Sequence, residues 1–467
     1  MKNLKKVGSI QLKKAIEIEK SPFCIGCETL DRELWNPAEV YPFLSELPIK
    51  HARLQSGWSR CEKEKGVYDF GWLDASIDGL LEIGILPFLN IGYGNSLYAP
   101  MKADQIGAHP MYNEEYMEAW LKFVSELCKR YGKKVSAFEV WNESNISTFW
   151  QPNKPSPETY AKLFERTAAL IRELAPDVKI IGGAIAGMDF EYITPLLKAD
   201  ADLSQMDALS YHPYRVHPDM HYSKQLGALK SLVDKYGHPG LKLWQAEFGC
   251  PSGPGSTGYN GSIDYTENIQ AKVLLRKLMA DCAEGVELSE WFLAVDLHGY
   301  PKGTDGVNNK GILYAKPEVR PKVSFKALQN LGSIVYGDIE PAISTTYPMD
   351  SSVEANEDLL YQLFRGAVDE RHDISIANIR INGNKAIAYW SNADLYDQCE
   401  PEEFHLINMD CEGVLFSEPV LCDLLTGDIY ELPEGTFKRM GKNSWDVFAN
   451  IPLTDYPMII MEKDAVC

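Results

Sequence analysis

The sequence predicts an α/β protein in which a (β/α)8 TIM barrel is followed by an antiparallel β-sandwich. Short apolar runs alternate with helix-period stretches from about residue 22 to 335, which is typical of a parallel sheet wrapped by helices. Eight such runs fall in that stretch, and this number and length fit a barrel. A doubly wound open sheet is the alternative. After about residue 336 the apolar residues alternate with period two between turn residues, which indicates antiparallel strands.

The eight apolar runs are the predicted barrel strands, and longer helical patterns separate them. One helix is predicted after Asn113, with acids in its first turn and Gly132 beyond its end. A second is predicted after Ser156, with Pro157 at the first helical position. The strands are FCIG (23–26), KHARLQ (50–55), ILPFLNIG (85–92), SAFEVW (136–141), VKIIGG (178–183), MDALSY (206–211), LKLWQAE (241–247) and EWFLAV (290–295).

The predicted domains are a catalytic barrel over residues 21–335 and a β-sandwich over 336–467, which the extended segment 1–20 joins. Two long loops interrupt the barrel pattern, at residues 93–112 and in the glycine-rich stretch 249–262, and we expect both to shape a binding site.

Composition and charge restrict the classes of partner. The chain has 467 residues, 45% hydrophobic and 24% charged, as in a globular protein. Its net charge of -20 disfavours nucleic acid and anionic membranes as partners. The N-terminus lacks the apolar region of a signal peptide, and no run of about 18 apolar residues occurs. We therefore expect a cytoplasmic protein without a membrane partner, although prior removal of a signal would leave the same sequence.

Cys24 and Cys27 form a Cys-x-x-Cys pair, which raises the question of a metal or redox site. A second pair at zinc-ribbon spacing is missing from the sequence. The favoured interpretation is a buried strand in which cysteine acts as a small hydrophobic residue.

Two glutamates stand where barrel strands end. Glu143 follows the fourth predicted strand, and Glu247 ends the seventh. Because barrel active sites lie at the carboxyl ends of the strands, both carboxylates are expected at the mouth of the barrel. Opposed carboxylates are what glycoside hydrolysis needs, with one protonating the leaving oxygen and the other attacking or activating water. A strand end or a glycosylation sequon at Asn142 or Asn145 are the other interpretations of this segment.

The motifs VWNESN (140–145) and LWQAEFG (243–249) resemble the acid/base and nucleophile motifs of the retaining clan A (β/α)8 glycoside hydrolases. The stretches 57–92 and 182–193, with DLLTGDIYEL (423–432), are similar to family 39, which includes β-xylosidases; family 5 and other clan members are near competitors. The resemblance implies Glu143 as acid/base, Glu247 as nucleophile and Asn142 as a ligand of the sugar 2-hydroxyl. It departs from the clan at Ser144, where proline is usual, which puts the family assignment and the rigidity of the loop in doubt.

The same resemblance implies further site residues. His212 and Tyr214 match the subsite His and Tyr of the clan, with the Tyr donating to the nucleophile, and Arg53 resembles the arginine beside it. The alternative for Arg53 is a structural ion pair. Trp291 resembles the tryptophan beneath the sugar, against a core aromatic as the alternative. Trp58, Tyr93 and Trp150 follow strand ends and are similar candidates.

We expect no metal and no cofactor, because the spacing of His212, His217 and His221 fits no common zinc pattern and the clan works without metal. The sequence thus predicts a retaining β-glycosidase acting on small oligosaccharides or glycosides. A barrel that binds sugar without cleaving it is the alternative, since fold alone does not establish function.

Overall fold

The computed structural model describes residues 4–99, 106–442 and 444–466, so part of the predicted loop 93–112 lies outside the described residues. After a short strand β1 (Lys5–Ser9), eight parallel strands close into a barrel, which confirms the predicted fold. They are β2 (Phe23–Gly26), β3 (His51–Gln55), β4 (Leu86–Ile91), β5 (Ala137–Val140), β6 (Lys179–Ala186), β7 (Ala208–His212), β8 (Lys242–Gln245) and β9 (Leu288–Trp291).

Each predicted run supplies one strand, but the last is displaced. β9 begins at Leu288, before the predicted start at Glu290, and it ends at Trp291. Its continuation leaves the barrel ladder because the N–H of Phe292 donates to the carbonyl of Phe248, in the loop after β8.

Helices surround the barrel, and their ends follow the predicted signals. The Asn113 side chain accepts from the N–H of Tyr116 at the start of α4, and Ser156 accepts from Thr159 at the start of α5. The helices are α1 (Pro37–Leu44), α2 (Trp58–Cys61), α3 (Gly71–Glu82), α4 (Glu114–Tyr131), α5 (Pro157–Leu174), α6 (Phe190–Leu197), α7 (Tyr222–Tyr236), α8 (Glu267–Ala283), α9 (Val323–Ile334) and α10 (Glu357–Phe364).

The barrel interior changes from apolar to polar towards the carboxyl ends of the strands. One buried layer is apolar and contains Phe88, Ala137, Ala208 and Leu288. Side chains two residues apart face the same side of a strand, so the next inward positions are Asn90, Glu139, Ser210 and Glu290, all buried. A polar layer therefore lies directly above an apolar one, on the side where the active site of a barrel is expected.

The C-terminal region forms two antiparallel sheets, as predicted from its period-two pattern. Their strands are β14 (Ile339–Pro341), β15 (Ser344–Asp350), β16 (Ile374–Ile381), β17 (Asn384–Ser391), β18 (Glu402–Asp410), β19 (Pro419–Asp423), β20 (Asp428–Glu431), β21 (Phe437–Met440), β22 (Trp445–Leu453) and β23 (Met458–Glu462). One sheet has the order β1-β20-β19-β23-β17-β16-β14, so the N-terminal strand β1 completes it. The other sheet has the order β15-β18-β22-β21. Two-stranded ribbons β10 (Leu297–His298)/β11 (Val307–Asn308) and β12 (Leu313–Tyr314)/β13 (Arg320–Pro321) precede α9.

Helix α8 lies between the barrel and these sheets. Arg276 on this helix is fully buried, and its Nε donates to Asp219 Oδ2 of the barrel at 3.0 Å while its NH1 donates to the carbonyl of Ala393 at 3.0 Å. These bonds give the buried guanidinium of Arg276 partners on both sides, so α8 can carry charged residues and still lie between two layers. Among the described residues, no helix is both long enough and apolar enough to cross a membrane.

Candidate active site

The two predicted catalytic carboxylates face one another at the barrel mouth. Glu143 follows β5 and Glu247 follows β8, and their side chains are 13% and 15% exposed. His212, at the end of β7, lies between them, with Nδ1 3.0 Å from Glu143 Oε1 and 3.7 Å from Glu247 Oε2. One oxygen of each carboxylate and this nitrogen all lie within 4.8 Å of one another. The fold thus brings together three residues that are far apart in sequence.

The distance between the two carboxylates distinguishes a retaining from an inverting mechanism. Retaining glycosidases hold their two carboxyl groups about 5–5.5 Å apart, whereas inverting enzymes leave about 6.5–9.5 Å for a water molecule. One oxygen of Glu143 lies within 4.8 Å of one oxygen of Glu247, which is compatible with the shorter spacing. This arrangement suits direct attack by one carboxylate while the other exchanges a proton with the leaving oxygen.

Two donors orient Glu247. The Tyr214 hydroxyl donates to Oε1 at 2.9 Å, and Arg53 NH1 donates to Oε2 at 3.1 Å. Burial, followed by the charge of Glu247, raises the pKa of Tyr214 well above its usual value, so the phenol keeps its proton for this bond. Both donors stabilise the ionised form of Glu247, which is the form a nucleophile needs.

The segment that carries Glu143 is held in an unusual backbone conformation. Trp141 and Glu143 have φ angles of 68° and 45°, which are uncommon for residues other than glycine. The N–H of Glu143 donates to the carbonyl of Ala184 at 2.8 Å. Ser144, in place of the usual proline, is fully buried, and its hydroxyl accepts from Tyr192 at 3.0 Å. The hydrogen bond from Tyr192 thus holds Ser144 in place, although Ser144 lacks the rigid ring of proline.

Asn142 lies between the acid and the arginine. It is 2% exposed, and its Oδ1 accepts from Arg53 NH2 at 2.8 Å. Because arginine can only donate, Asn142 must turn its oxygen to Arg53, which leaves the NH2 end of the amide for a sugar hydroxyl. Asn145 uses its amide on both backbone groups of Ala186. Burial of Asn142 and the two bonds of Asn145 therefore disfavour glycosylation of the folded chain.

The charges of both glutamates act on His212. Burial lowers its pKa, but the charges of Glu247 and Glu143 outweigh burial and raise the pKa above its usual value. The imidazole is therefore biased towards the protonated form, which hydrogen bonds to Glu143. These three groups are close enough to surround a cation. Their mutual hydrogen bonds and charges account for the arrangement, so we assign no ion there.

The predicted aromatic residues divide into two groups. Tyr93 is 6% exposed, and its hydroxyl accepts from Gln55 at 2.9 Å. Trp291 packs edge-on against Phe248, the neighbour of Glu247, with ring centroids 5.8 Å apart, and its Nε1 donates to the carbonyl of Lys310 at 3.2 Å. Both lie next to the carboxylates or their direct neighbours. Their contact with a sugar remains a prediction.

Trp58 and Trp150 lie in aromatic surroundings. The Trp58 ring is fully buried and stacks on Tyr116 and Phe123, with centroids 5.4 and 5.5 Å away, and its Nε1 donates to Glu62. Trp150 is also fully buried and stacks on His109 at 4.1 Å. These contacts favour a structural role for both rings, and their contact with a sugar stays a prediction.

Two cysteines and two histidines were considered as metal ligands from the sequence. Burial raises the pKa values of the Cys24 and Cys27 thiols well above their usual range, so they are protonated, as expected of small hydrophobic residues. His217 and His221 join no potential metal-binding group among the described residues.

Sequence reasoning missed three buried acids that surround Arg53 beside Glu247. Glu28 accepts from its NH1, as Glu247 does, Glu139 accepts from Nε and NH2, and Glu290 lies 3.8 Å from Nε. A signal was present, because Glu139 and Glu290 are charged residues within apolar strand runs and Glu28 lies two residues after another.

Comparison with known proteins supports the fold and the resemblance to a family of glycoside hydrolases. Residues 53–232 match the family model of glycosyl hydrolases family 39, a stretch that contains Glu143 and ends before Glu247. A β-xylosidase of Geobacillus stearothermophilus is 30% identical over 218 residues, or 41% of this chain and 42% of that protein. A β-xylosidase of Caldicellulosiruptor saccharolyticus is 29% identical over 182 residues, or 35% and 36%. The matched regions therefore span less than half of the length of these relatives. The family-model match confirms the predicted resemblance to family 39.

Solved structures share the fold over nearly the whole chain. A family 39 glycoside hydrolase from the gut symbiont Bacteroides cellulosilyticus WH2 superposes with a TM-score of 0.64 at 16% identity, covering 95% of this chain and 81% of that one. A family 39 β-xylosidase from Caulobacter crescentus has a TM-score of 0.57 at 17% identity and covers 98% of both chains. At these identities the likeness concerns the fold.

Proposed function

We propose that this chain is a retaining glycoside hydrolase that cleaves β-linked glycosides by double displacement. The observation that carries the proposal is the approach of the Glu143 and Glu247 carboxylates to within 4.8 Å at the carboxyl ends of barrel strands. The family 39 resemblance of residues 53–232 supports the same reaction class.

In the first step Glu247 attacks the anomeric carbon, and the glycosidic C–O bond breaks as Glu143 gives its proton to the leaving oxygen. The product is a glycosyl ester on Glu247. In the second step Glu143 takes a proton from water, which attacks the same carbon and releases Glu247. Two inversions give net retention of the β configuration.

Arg53, Tyr214 and Asn142 serve these steps by position. The first two hold Glu247 ionised and aimed, as their bonds of 3.1 and 2.9 Å indicate. The amide of Asn142, fixed by Arg53, is placed to bind the sugar 2-hydroxyl. Such a bond strengthens as positive charge develops on the ring, so it favours the transition state over the bound substrate.

For the substrate we propose a small β-xyloside or a related pentose glycoside, because two relatives of about 30% identity are β-xylosidases. Discrimination among xylose, glucose, galactose and arabinose depends on one or two contacts to a hydroxyl. A panel of nitrophenyl β-glycosides, with the product anomer followed by NMR, tests both parts. We expect a β-anomeric first product, and an α-anomeric first product would refute retention.

Two variants test the residue roles. Glu247→Ala should lower kcat by at least about 10⁴-fold, as expected when a nucleophile is removed. Glu143→Ala should lose turnover of poor leaving groups, but azide should restore turnover of an activated aryl glycoside and give a β-glycosyl azide. Glu165→Ala, on the outer helix α5, is the matched control and should turn over normally.

The alternative, a barrel that binds sugar without cleaving it, predicts different results in the same experiments. It predicts saccharide binding by calorimetry with no hydrolysis across the panel, and equal behaviour of Glu247→Ala and wild type. Full activity of Glu247→Ala would equally remove the proposed nucleophile.

A further inference from the structure

Four buried or nearly buried carboxyl groups surround one arginine beneath the proposed nucleophile. Arg53 is fully buried and contacts Glu139 at 2.7 Å, Glu28 at 3.0 Å, Glu247 at 3.1 Å and Glu290 at 3.8 Å. If all four were ionised, one positive charge would face four negative charges in a site of low dielectric. Like charges this close cannot all ionise, so at least one carboxyl must hold a proton.

The hydrogen-bond partners distinguish the four carboxyl groups from one another. Glu139 accepts from Arg53, from Asn90 at 2.8 Å and from Ser210 at 2.6 Å, so every neighbour donates to it. Glu247 accepts from Arg53 and Tyr214 and is partly exposed. Both are suited to the carboxylate form. The proton must therefore lie on Glu28 or Glu290.

Glu290 differs from the others because, among the described residues, neither of its oxygens meets a protein N–H or hydroxyl donor. It is fully buried, and its nearest Arg53 nitrogen lies at 3.8 Å, beyond hydrogen-bond distance. Glu28 binds Arg53 through Oε1, while its Oε2 also finds no such donor. An ionised Glu290 would thus be a buried charge without a hydrogen bond, which is costly.

The unsatisfied oxygens of these two residues converge on one point. A Cβ atom added to Gly26 would lie 2.4 Å from Glu28 Oε2 and 2.6 Å from Glu290 Oε1. Any side chain at position 26 would therefore displace one of these carboxyls, and glycine leaves the room in which the two meet. A proton on Glu290 lets it donate to Glu28, which satisfies both residues at once.

We propose that Glu290 is a positioning residue that shares one proton with Glu28, and that this acid–carboxylate pair holds Arg53 beneath the nucleophile Glu247. The inference rests on the proposed function for its link to catalysis, whereas the shared proton itself does not depend on that function. With the proton in place, Arg53 NH1 divides its bonding between Glu28 and Glu247. Without it, ionised Glu290 competes for the guanidinium and draws it from Glu247.

The surroundings of the pair are consistent with a retained proton. Burial, with the charge of Glu28 next, raises the pKa of Glu290 well above its usual value. The Cys24 and Cys27 thiols add no negative charge to the pair, because burial raises their pKa values and keeps them protonated. The groups that face the pair from every packed element are Arg53, Glu139, Glu247, Cys24, Cys27, Tyr214 and Tyr300.

Difference infrared spectroscopy tests the shared proton without any substrate. In Glu143→Gln protein, which lacks the proposed acid, we expect a protonated-carboxyl C=O band that persists at pH 8. The band should vanish in Glu143→Gln/Glu290→Gln. It should remain in Glu143→Gln/Glu62→Gln, because Glu62 is a buried carboxylate that accepts from Trp58 and Gly66. Absence of the band in the first protein, or its survival after loss of Glu290, would overturn the proposal.

A second variant guards against a folding failure of Glu290→Gln. Glu28→Gln, in the Glu143→Gln background, removes the negative charge that helps to keep the proton on Glu290. The band should then disappear at a lower pH than with Glu28 intact, and an unchanged titration would contradict the shared pair.

The link to catalysis is tested by the burst of dinitrophenolate from a dinitrophenyl β-glycoside in Glu143→Ala protein, since this leaving group needs no acid. We expect the burst rate to fall at alkaline pH as Glu290 ionises, and this fall to be absent in Glu143→Ala/Glu290→Gln. The same fall in both proteins, or a rise in either, would refute the link. If the proposed function fails, no burst occurs in any variant, while the infrared result stands on its own.

Discussion

The phenol of Tyr214 should control the activity of the proposed nucleophile through one hydrogen bond. Its hydroxyl donates to Glu247 Oε1 at 2.9 Å, and its raised pKa keeps the donor protonated through neutral pH. Tyr214→Phe removes this bond and retains the ring, which packs against Phe248 with centroids 5.9 Å apart. The variant therefore tests one hydrogen bond rather than a cavity.

The size of the effect follows from the charge on the acceptor. A hydrogen bond to a charged group contributes about 1.5–3 kcal/mol, and about 1.36 kcal/mol corresponds to a factor of ten in rate. The bond orients the attacking carboxylate, so its loss should raise the barrier by up to this amount. We therefore expect kcat/KM to fall roughly 10- to 100-fold in Tyr214→Phe.

The assay is kcat/KM for a nitrophenyl β-glycoside at neutral pH. Tyr131→Phe is the matched control, because Tyr131 donates to Asp74 at the same 2.9 Å on the outer helices. It should lose stability without losing kcat/KM. An unchanged kcat/KM in Tyr214→Phe, or an equal loss in Tyr131→Phe, would show that Tyr214 does not position Glu247.

Three further predictions concern stability. Ser144→Ala and Tyr192→Phe each remove one end of the same 3.0 Å bond, so a double-mutant cycle in urea should give a coupling of about 1 kcal/mol, and additive losses would contradict the bond. Burial lowers the pKa of His109 from 6.5 to about 4, so the unfolded chain binds more protons than the folded chain between these pH values. The free energy of unfolding should therefore fall by up to roughly 3 kcal/mol as the pH drops through this window, and it should fall less in His109→Gln. Arg276→Met leaves Asp219 buried without its cation and should cost about 3–5 kcal/mol, of which adding Asp219→Asn should restore a part; a larger loss in the double variant would count against the ion pair.

Local sequence patterns predicted the helix starts and the barrel strands, because interactions between neighbouring residues determine these features. The capping side chains of Asn113 and Ser156 bond to the backbone as their positions in the sequence indicate. Apolar runs gave every barrel strand, because a parallel strand is buried on both faces and reads as a continuous apolar segment. The displaced β9 shows the limit, since a hydrogen bond from Phe292 to another loop ends the strand.

Aromatic residues after strand ends were less informative. Trp58 and Tyr93 have the same relation to their strands, yet Trp58 lies within an aromatic cluster and Tyr93 beside Gln55. Whether such a ring meets solvent, substrate or another helix depends on how the helical layer packs, which depends on residues distant in sequence.

The sequence by itself determined the element types, the barrel order and the two glutamates at strand ends, because these follow from periodicity and from the rule that barrel sites lie where strands finish. Only the tertiary structure decided that both glutamates approach within 4.8 Å and that four acids share Arg53. Closure of the barrel brings side chains from five strands and their ends, separated by up to 262 residues of chain (Glu28 to Glu290), to one buried point. Charges placed there interact strongly, and no local pattern encodes their proximity.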